Sequence, residues 1–211
     1  MPRIVFVEAS LELVPKAIAG HPAVVADARR RRKKPTEIIL DDSKHHAAMK
    51  GLMNREKRGR PDIIHGCLLL FLDSPIAKDF EIYVHTVGGD VIWVSSEVRL
   101  PRNYNRFIGV MEDLFKKRRI EADGKVLLEI TDLKFEDLLK GKVIVLHENG
   151  KAVELEELMK GEFTVCVGAF AHGDFGVDFG DAEFVSIGGE RFTSLYATCR
   201  VVSAYERARS A

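Results

Sequence analysis

The chain has 211 residues, 46% apolar and 30% charged, enough to bury the core of one domain, and no run of eighteen apolar residues is available to span a bilayer. Its 32 Lys+Arg and 32 Asp+Glu sum to a formal charge of zero that conceals an asymmetry: residues 1–119 carry 22 cations against 15 anions, residues 120–190 carry 6 against 16, and the last 21 carry 4 against 1. A basic front and an acidic back point to an anionic polymer held on one side only.

The opening Met-Pro-Arg-Ile-Val-Phe-Val-Glu lacks the apolar stretch of a secretory leader, and Ile4–Glu8 reads as a strand. A helix is expected over Leu11–Ala19, although it must accommodate Pro15. The six cations Arg29–Lys34 read as a solvated, mobile tract whose contact with RNA would be non-specific. Asp41, Asp42 and Ser43 are capping residues for a surface helix extending through Lys57. His45 and His46 are adjacent on that helix, do not share a face, and so make no metal site. No Cys or His cluster has metal-ligand spacing, and Cys67, Cys166 and Cys199 read as reduced core residues of a cytoplasmic protein.

Beyond Pro61, Ile63–Leu72 is apolar on every side, as in a buried helix that starts at a proline. Phe80–Thr86 and Val91–Ser95 flank Val-Gly-Gly-Asp, a hairpin signal. Phe107, Val110, Met111, Leu114 and Phe115 recur at helical spacing over Asn103–Lys117, which would place Arg102 and Arg106 one turn apart. Short apolar strands then run into loops: Val143–Leu146 into His-Glu-Asn-Gly, Phe163–Val167 into Gly168–Gly173, and Glu183–Ile187 into Gly188-Gly189. An amphipathic helix over roughly Ser194–Arg207 closes the chain. The pattern is α/β with a mostly parallel sheet, whose ligands sit beyond the carboxyl ends of the strands.

Two segments concentrate chemistry. Gly59-Arg60-Pro61-Asp62 and Arg99-Leu-Pro-Arg-Asn-Tyr-Asn-Arg-Phe107 set guanidinium groups beside proline and aromatic rings, a combination that grips phosphates and flat bases. Asp62 can orient Arg60 through a paired hydrogen bond and leave its remaining donors for a phosphate; a structural salt bridge is the rival reading. The strand-end rule gathers Leu146, Gly168, Gly173 and Ile187–Phe192 around one pocket, where glycine lets the backbone approach an adenosine-containing ligand and Phe170, Phe175 and Phe192 give apolar cover. His147 and His172 are either pocket or simple loop residues. Gly168-Ala-Phe-Ala-His-Gly173 has P-loop spacing but lacks the following Lys-Ser/Thr, and no Gly-x-Gly-x-x-Gly follows the first strand, so nucleoside triphosphate and dinucleotide readings lose ground.

Arg58-Gly-Arg-Pro-Asp-Ile-Ile-His65, Leu72-Asp-Ser-Pro75, Arg99 to Met111 and the three C-terminal loops together resemble the ribosome-biogenesis N1-specific pseudouridine methyltransferases of the SPOUT superfamily, in an archaeal form. The resemblance implies a single SPOUT domain over residues 1–211, with a C-terminal trefoil knot, an inserted extension carrying the hairpin at about 78–98, and assembly as a homodimer. It implies an S-adenosylmethionine pocket formed by Leu146, Gly168, Gly173, Ile187, Gly188, Gly189, Glu190, Arg191 and Phe192. Arg60, Arg99, Arg102 and Arg106 match the RNA-contacting arginines, and Asp62 matches the acid that steadies Arg60. The implied partners are small-subunit ribosomal RNA and ribosome-assembly proteins, with no membrane and no metal.

Methyl transfer to N1 of pseudouridine requires that nitrogen to lose its proton as it attacks. No carboxylate or histidine is compelling as the base: arginines that align an extruded base and ease its developing negative charge are favoured, with Asp62 as direct base the minority reading. Two other functions stay open, a non-catalytic RNA-binding assembly factor and a SPOUT methyltransferase acting on transfer RNA.

Overall fold

The computed structural model describes residues 1–210. In chain order they form β1 (Arg3–Ala9), α1 (Pro22–Arg30), α2 (Asp42–His45), α3 (Pro61–Asp73), β2 (Glu81–Thr86), β3 (Val91–Val94), α4 (Tyr104–Lys117), β4 (Arg119–Ala122), β5 (Lys125–Thr131), β6 (Lys142–Ala152), α5 (Leu155–Leu158), β7 (Phe163–Gly168), β8 (Glu183–Ser186) and α6 (Ser194–Ser210).

All eight strands join one sheet in the order β4-β5-β3-β2-β1-β7-β6-β8. From β2 to β8 every neighbour is parallel, so the carboxyl ends of β1, β7, β6 and β8 share one edge. The other arm, β2-β3-β5-β4, is antiparallel. β2 and β3 form the hairpin, but β2 is also a core strand lying parallel to β1. β1 is buried on both faces, as a central parallel strand must be. Ile4 and Phe6 face one core with Ile64 and Phe71 of α3 and Val201 of α6, while Val5 and Val7 face a second core with Tyr83, Leu138, Cys166 and Phe179. Helices cover the first face. The second is covered partly by the turn Phe135–Leu138 and the aromatic residues of the loop after β7.

α3 begins as its sequence dictates, with Pro61 in the first turn, and ends at Ser74. α4 starts one residue later than expected: the Asn103 side chain caps it by accepting from Arg106 N–H at 3.1 Å. Arg102 therefore precedes the helix and is not one helical turn from Arg106.

Elsewhere the structure corrects local readings. Leu11–Ala19 is not a helix: Pro15 interrupts it, Leu13 bridges Ile39 in extended form, and only Lys16–Ile18 makes a short 3-10 turn. Asp41 caps as expected, yet α2 lasts one turn and residues 48–57 break into 3-10 turns, with Asn54 in the left-handed region. His45 is fully buried, not on a surface helix. The basic tract is anchored: Asp27 accepts from Arg30, and the buried Glu112 accepts from both Arg31 (2.6 Å) and Lys33 (2.7 Å). β6 does not end at Leu146. Residues 147–150 bulge out of the ladder and the strand resumes, so that Leu146 and Lys151 both pair with Val185. Cys67 and Cys166 are buried free thiols, but Cys199 is exposed on α6.

Candidate active site

α3 and the segment before α4 carry the expected arginines. Arg60 Nε and Nη2 donate to Asp62 Oδ1 and Oδ2, each at 2.8 Å, and this fork raises the Arg60 pKa. A guanidinium has five N–H donors, so three remain for a ligand. Arg102 Nη2 donates to Asp73 Oδ2 at 2.7 Å. Arg99 and Arg106 are exposed and make no ion pair among the described residues.

Several buried contacts hold this face. Val98 and Leu100 pin the chain on both sides of Arg99. His65 Nε2 lies 2.8 Å from the Pro101 carbonyl, which can only accept, and the imidazole stacks on Phe107 at 4.2 Å. The Tyr104 hydroxyl donates to Asp41 Oδ2 at 2.9 Å. Burial alone would raise the Asp41 carboxyl, but hydrogen bonds from Ser43 and Tyr104 hold it below the usual carboxylate value. Burial beside Asp41 pushes the Tyr104 phenol upward, so it stays a neutral donor.

The parallel edge opens into a cleft of about 670 Å³, within the range of nucleoside-sized sites. Leu146, Gly168, Gly173, Ile187, Glu190, Arg191 and Phe192 all line it. Gly188 and Gly189 do not: Gly188 allows the Phe192 ring to fold back, where a Cβ would meet that ring at 2.6 Å, and Gly189 has open space beside it. Phe170 and Phe175 meet edge to face in the cleft wall at 5.5 Å. At Gly168 a Cβ would stand 3.2 Å from Phe170 and 3.3 Å from Phe175, so the missing side chain is what lets the rings close on the strand end.

Polar groups are set around this apolar wall. His147 and His172 both belong to the cleft. His147 Nδ1 accepts from Asn149 N–H at 3.1 Å, which leaves Nε2 to donate to Asp174 Oδ1 at 3.1 Å. The Phe175 N–H, and after it His147, hold the Asp174 carboxyl below its usual range. Arg191 reaches Glu148 at 2.6 Å. A second cavity, of about 310 Å³, lies over the Glu112 ion pairs and includes none of these residues.

Asp73, Tyr104 and Lys57 have no assigned role in the sequence, and Asp41 has one there only as a helix cap. Asp73 sits in Leu72-Asp-Ser-Pro75, two residues before a proline and within one of the motifs that carry the family resemblance. The other three act through tertiary contacts that no local pattern announces.

Comparison with known proteins agrees with this geometry. Residues 4–206 match the EMG1/NEP1 methyltransferase family. The chain is 56% identical to the ribosomal RNA small subunit methyltransferase Nep1 of Archaeoglobus fulgidus, an alignment covering 98% of this chain and 96% of the relative. It is 45% identical to the protein of the same name from Sulfurisphaera tokodaii, covering 95% and 94%. The crystal structure of Archaeoglobus fulgidus Nep1 bound to S-adenosylhomocysteine superimposes with a TM-score of 0.96 at 55% identity, covering 100% of this chain and 99% of that one.

Proposed function

The chain belongs to the EMG1/NEP1 methyltransferase family, and from that premise we propose that it methylates small-subunit ribosomal RNA with S-adenosylmethionine, at N1 of a pseudouridine. The observation that carries the reading is that the segment leading into Arg60 touches an aromatic, glycine-moulded cleft at the strand ends: Lys57, three residues before Arg60, stands 4.9 Å from the centroid of the cleft residue Phe170. The neighbour with a TM-score of 0.96 was crystallised with S-adenosylhomocysteine, the product left after such a transfer. The residues of this cleft fit that group. Gly168 keeps the aromatic wall close, Phe170, Phe175 and Phe192 offer apolar cover, and the strand-end backbone offers N–H and C=O groups.

When bound there, S-adenosylmethionine supplies an electrophilic methyl group on a cationic sulfur. The remaining work falls to the protein. Arg60 and Arg102, each held by a carboxylate, hold the RNA backbone and extruded base in line with the cleft, with Arg99 and Arg106 supplying further phosphate contacts. Guanidinium charge near the base eases the negative charge that grows as N1–H gives up its proton to solvent water. Both Asp62 oxygens accept from Arg60, which supports Asp62 acting through Arg60 over Asp62 as a direct base.

We infer further that the enzyme is a cytoplasmic single domain whose C-terminal region is a trefoil knot. Insertion of β7 between β1 and β6, with α6 returning against α3, supports the knot. Leu195 and Tyr196, exposed at the start of α6 close to the cleft, support a homodimer that covers them. Cooperation with ribosome-assembly proteins accords with a ribosomal RNA substrate.

The test is transfer of a radiolabelled methyl group to a small-subunit RNA hairpin containing pseudouridine, to its uridine twin, and to a transfer-RNA hairpin. Label is expected in the first alone. Equal labelling of the twin defeats the N1 assignment, and no labelling with intact RNA binding favours an assembly factor.

A further inference from the structure

The two halves of the site meet at one buried ion pair. Lys57 is only 7% exposed, and its ammonium donates to Glu8 Oε2 at 2.9 Å. Lysine is almost never buried without a partner, because its charge loses hydration. Neither residue lines the cleft itself.

Glu8 lies at a bulge near the end of β1 in the left-handed conformation, φ 50°, which a residue with a side chain holds only where its surroundings fix it. Bulges of this kind re-aim a side chain. Glu8 Oε2 faces both halves, accepting from Lys57 on one side and from Gly176 N–H, at 2.9 Å, in the loop after β7. The next residues along grip the arginine arm. Ser10 Oγ donates to the Lys57 carbonyl, and Glu12 forks Arg58 with two bonds of 2.6 Å. That turn runs directly into Arg60, Pro61 and Asp62.

On the cofactor side, Lys57 Nζ stands 4.9 Å from the centroid of Phe170, a cleft residue. The loop is moulded to the pair by two glycines. A Cβ on Gly176 would lie 2.9 Å from Glu8 Oε1, and one on Gly173 would lie 3.2 Å from Lys57 Cε.

We propose that Glu8 and Lys57 are a positioning pair that couples the two substrates: occupancy of the cleft fixes the loop after β7, the loop fixes the pair, and the pair sets how Arg60 meets RNA. The inference rests on the methyltransferase reading of the cleft. Neither residue touches reacting atoms.

The experiment measures the dissociation constant of the pseudouridine hairpin with and without saturating S-adenosylhomocysteine, in the native protein and in Lys57→Met, Glu8→Gln and Lys57→Arg. In the native protein the nucleoside is expected to tighten RNA binding by about fivefold or more, with the same factor for RNA on nucleoside affinity. Lys57→Met and Glu8→Gln are expected to bring the ratio close to one, and Lys57→Arg, which keeps the charge, to retain most of it. A residue that only stabilised the fold would leave the ratio alone. If Lys57→Met does not fold, the nearly isosteric Glu8→Gln decides. A native ratio of one, or a ratio unchanged by every folded neutralising variant, overturns the proposal. A native protein that binds no S-adenosylhomocysteine overturns the methyltransferase reading as well, whereas binding of both ligands without linkage overturns the coupling alone.

Discussion

Asp73 holds Arg102 at the far end of α3 as Asp62 holds Arg60 at its start, so one helix carries an acid for each of two arginines. The two acids are eleven residues apart, roughly 16 Å along a helix. That spacing suits a nucleic-acid strand laid across the helix ends more than a small anion. Both pairs are exposed, with side-chain accessibilities of 78% for Arg102 and 57% for Asp73, so they contribute little to folding.

Replacing Asp73 by Asn should therefore separate function from stability. Losing one charge-assisted hydrogen bond to Arg102 is expected to lower kcat/KM for RNA methylation by about tenfold, while the thermal midpoint moves little. Unchanged kcat/KM in a well-folded variant would remove Asp73 from the RNA site.

Glu112 presents the opposite case, a charge that acts on the fold. Its Oε2 accepts from Arg31 and Lys33, and its Oε1 accepts from Ile39 N–H at 3.0 Å, with the residue only 3% exposed. Glu112→Ala leaves Lys33 and a buried N–H without their partner and Arg31 with only Asp27, at 3.8 Å, at a cost of about 3 kcal/mol. The urea midpoint should fall with little change in slope. Glu112→Gln keeps an acceptor for Ile39 and should lose less.

Glu112 also marks where local reading of the sequence stops. Elements with a strong internal period were legible: the apolar run of β1, the proline-started α3, the Phe107–Leu114 face of α4 and the closing helix. Motif resemblance led to the family, and Leu146, Gly168, Gly173, Ile187 and Glu190 to Phe192 do meet around one cleft, with Gly188 and Gly189 outside its lining. The basic tract misled because its counter-ion lies some eighty residues away on α4. Residues 41–57 misled because alanine and lysine favour helix locally, whereas buried His45 and left-handed Asn54 are fixed by neighbours. The bulge in β6 depends on Gly150 lying against the Val185 backbone, where a Cβ would approach to 2.4 Å, and nothing in the local pattern reports that contact.

His45 gives the fold a pH dependence. Burial lowers the His45 pKa below its ordinary value of 6.5, although Asp27 and Asp41 pull it upward. Its Nδ1 accepts from Asp41 N–H at 3.1 Å, a bond that requires an unprotonated nitrogen. A depressed histidine pKa means the unfolded chain takes up the proton first. The stabilisation is thus complete above pH 6.5 and is lost as pH falls from there to the folded-state value. His85, also lowered chiefly by burial, adds in the same direction. Urea midpoints measured from pH 8 downward should hold level and then drop below about pH 6.5. A midpoint that stays level through that range would show that neither imidazole is kept neutral by the fold.

Gly168 and Arg60 together test whether the two surfaces are separate binding sites. A Cβ on Gly168 already crowds Phe170 and Phe175, so the two methyl groups of Gly168→Val must displace those rings within the cleft wall. Overpacking of this kind costs about 1–3 kcal/mol, or roughly five- to a hundredfold in affinity for S-adenosylhomocysteine measured calorimetrically without RNA. RNA binding by the same variant without the nucleoside should be near normal, because the arginine face lies on α3 and before α4. Arg60→Ala should show the reverse, with nucleoside affinity intact and RNA affinity reduced by roughly ten- to a hundredfold through loss of charge-assisted bonds. Each variant striking both affinities equally would mean that the cleft and the arginine face are one damaged fold, not two sites that meet.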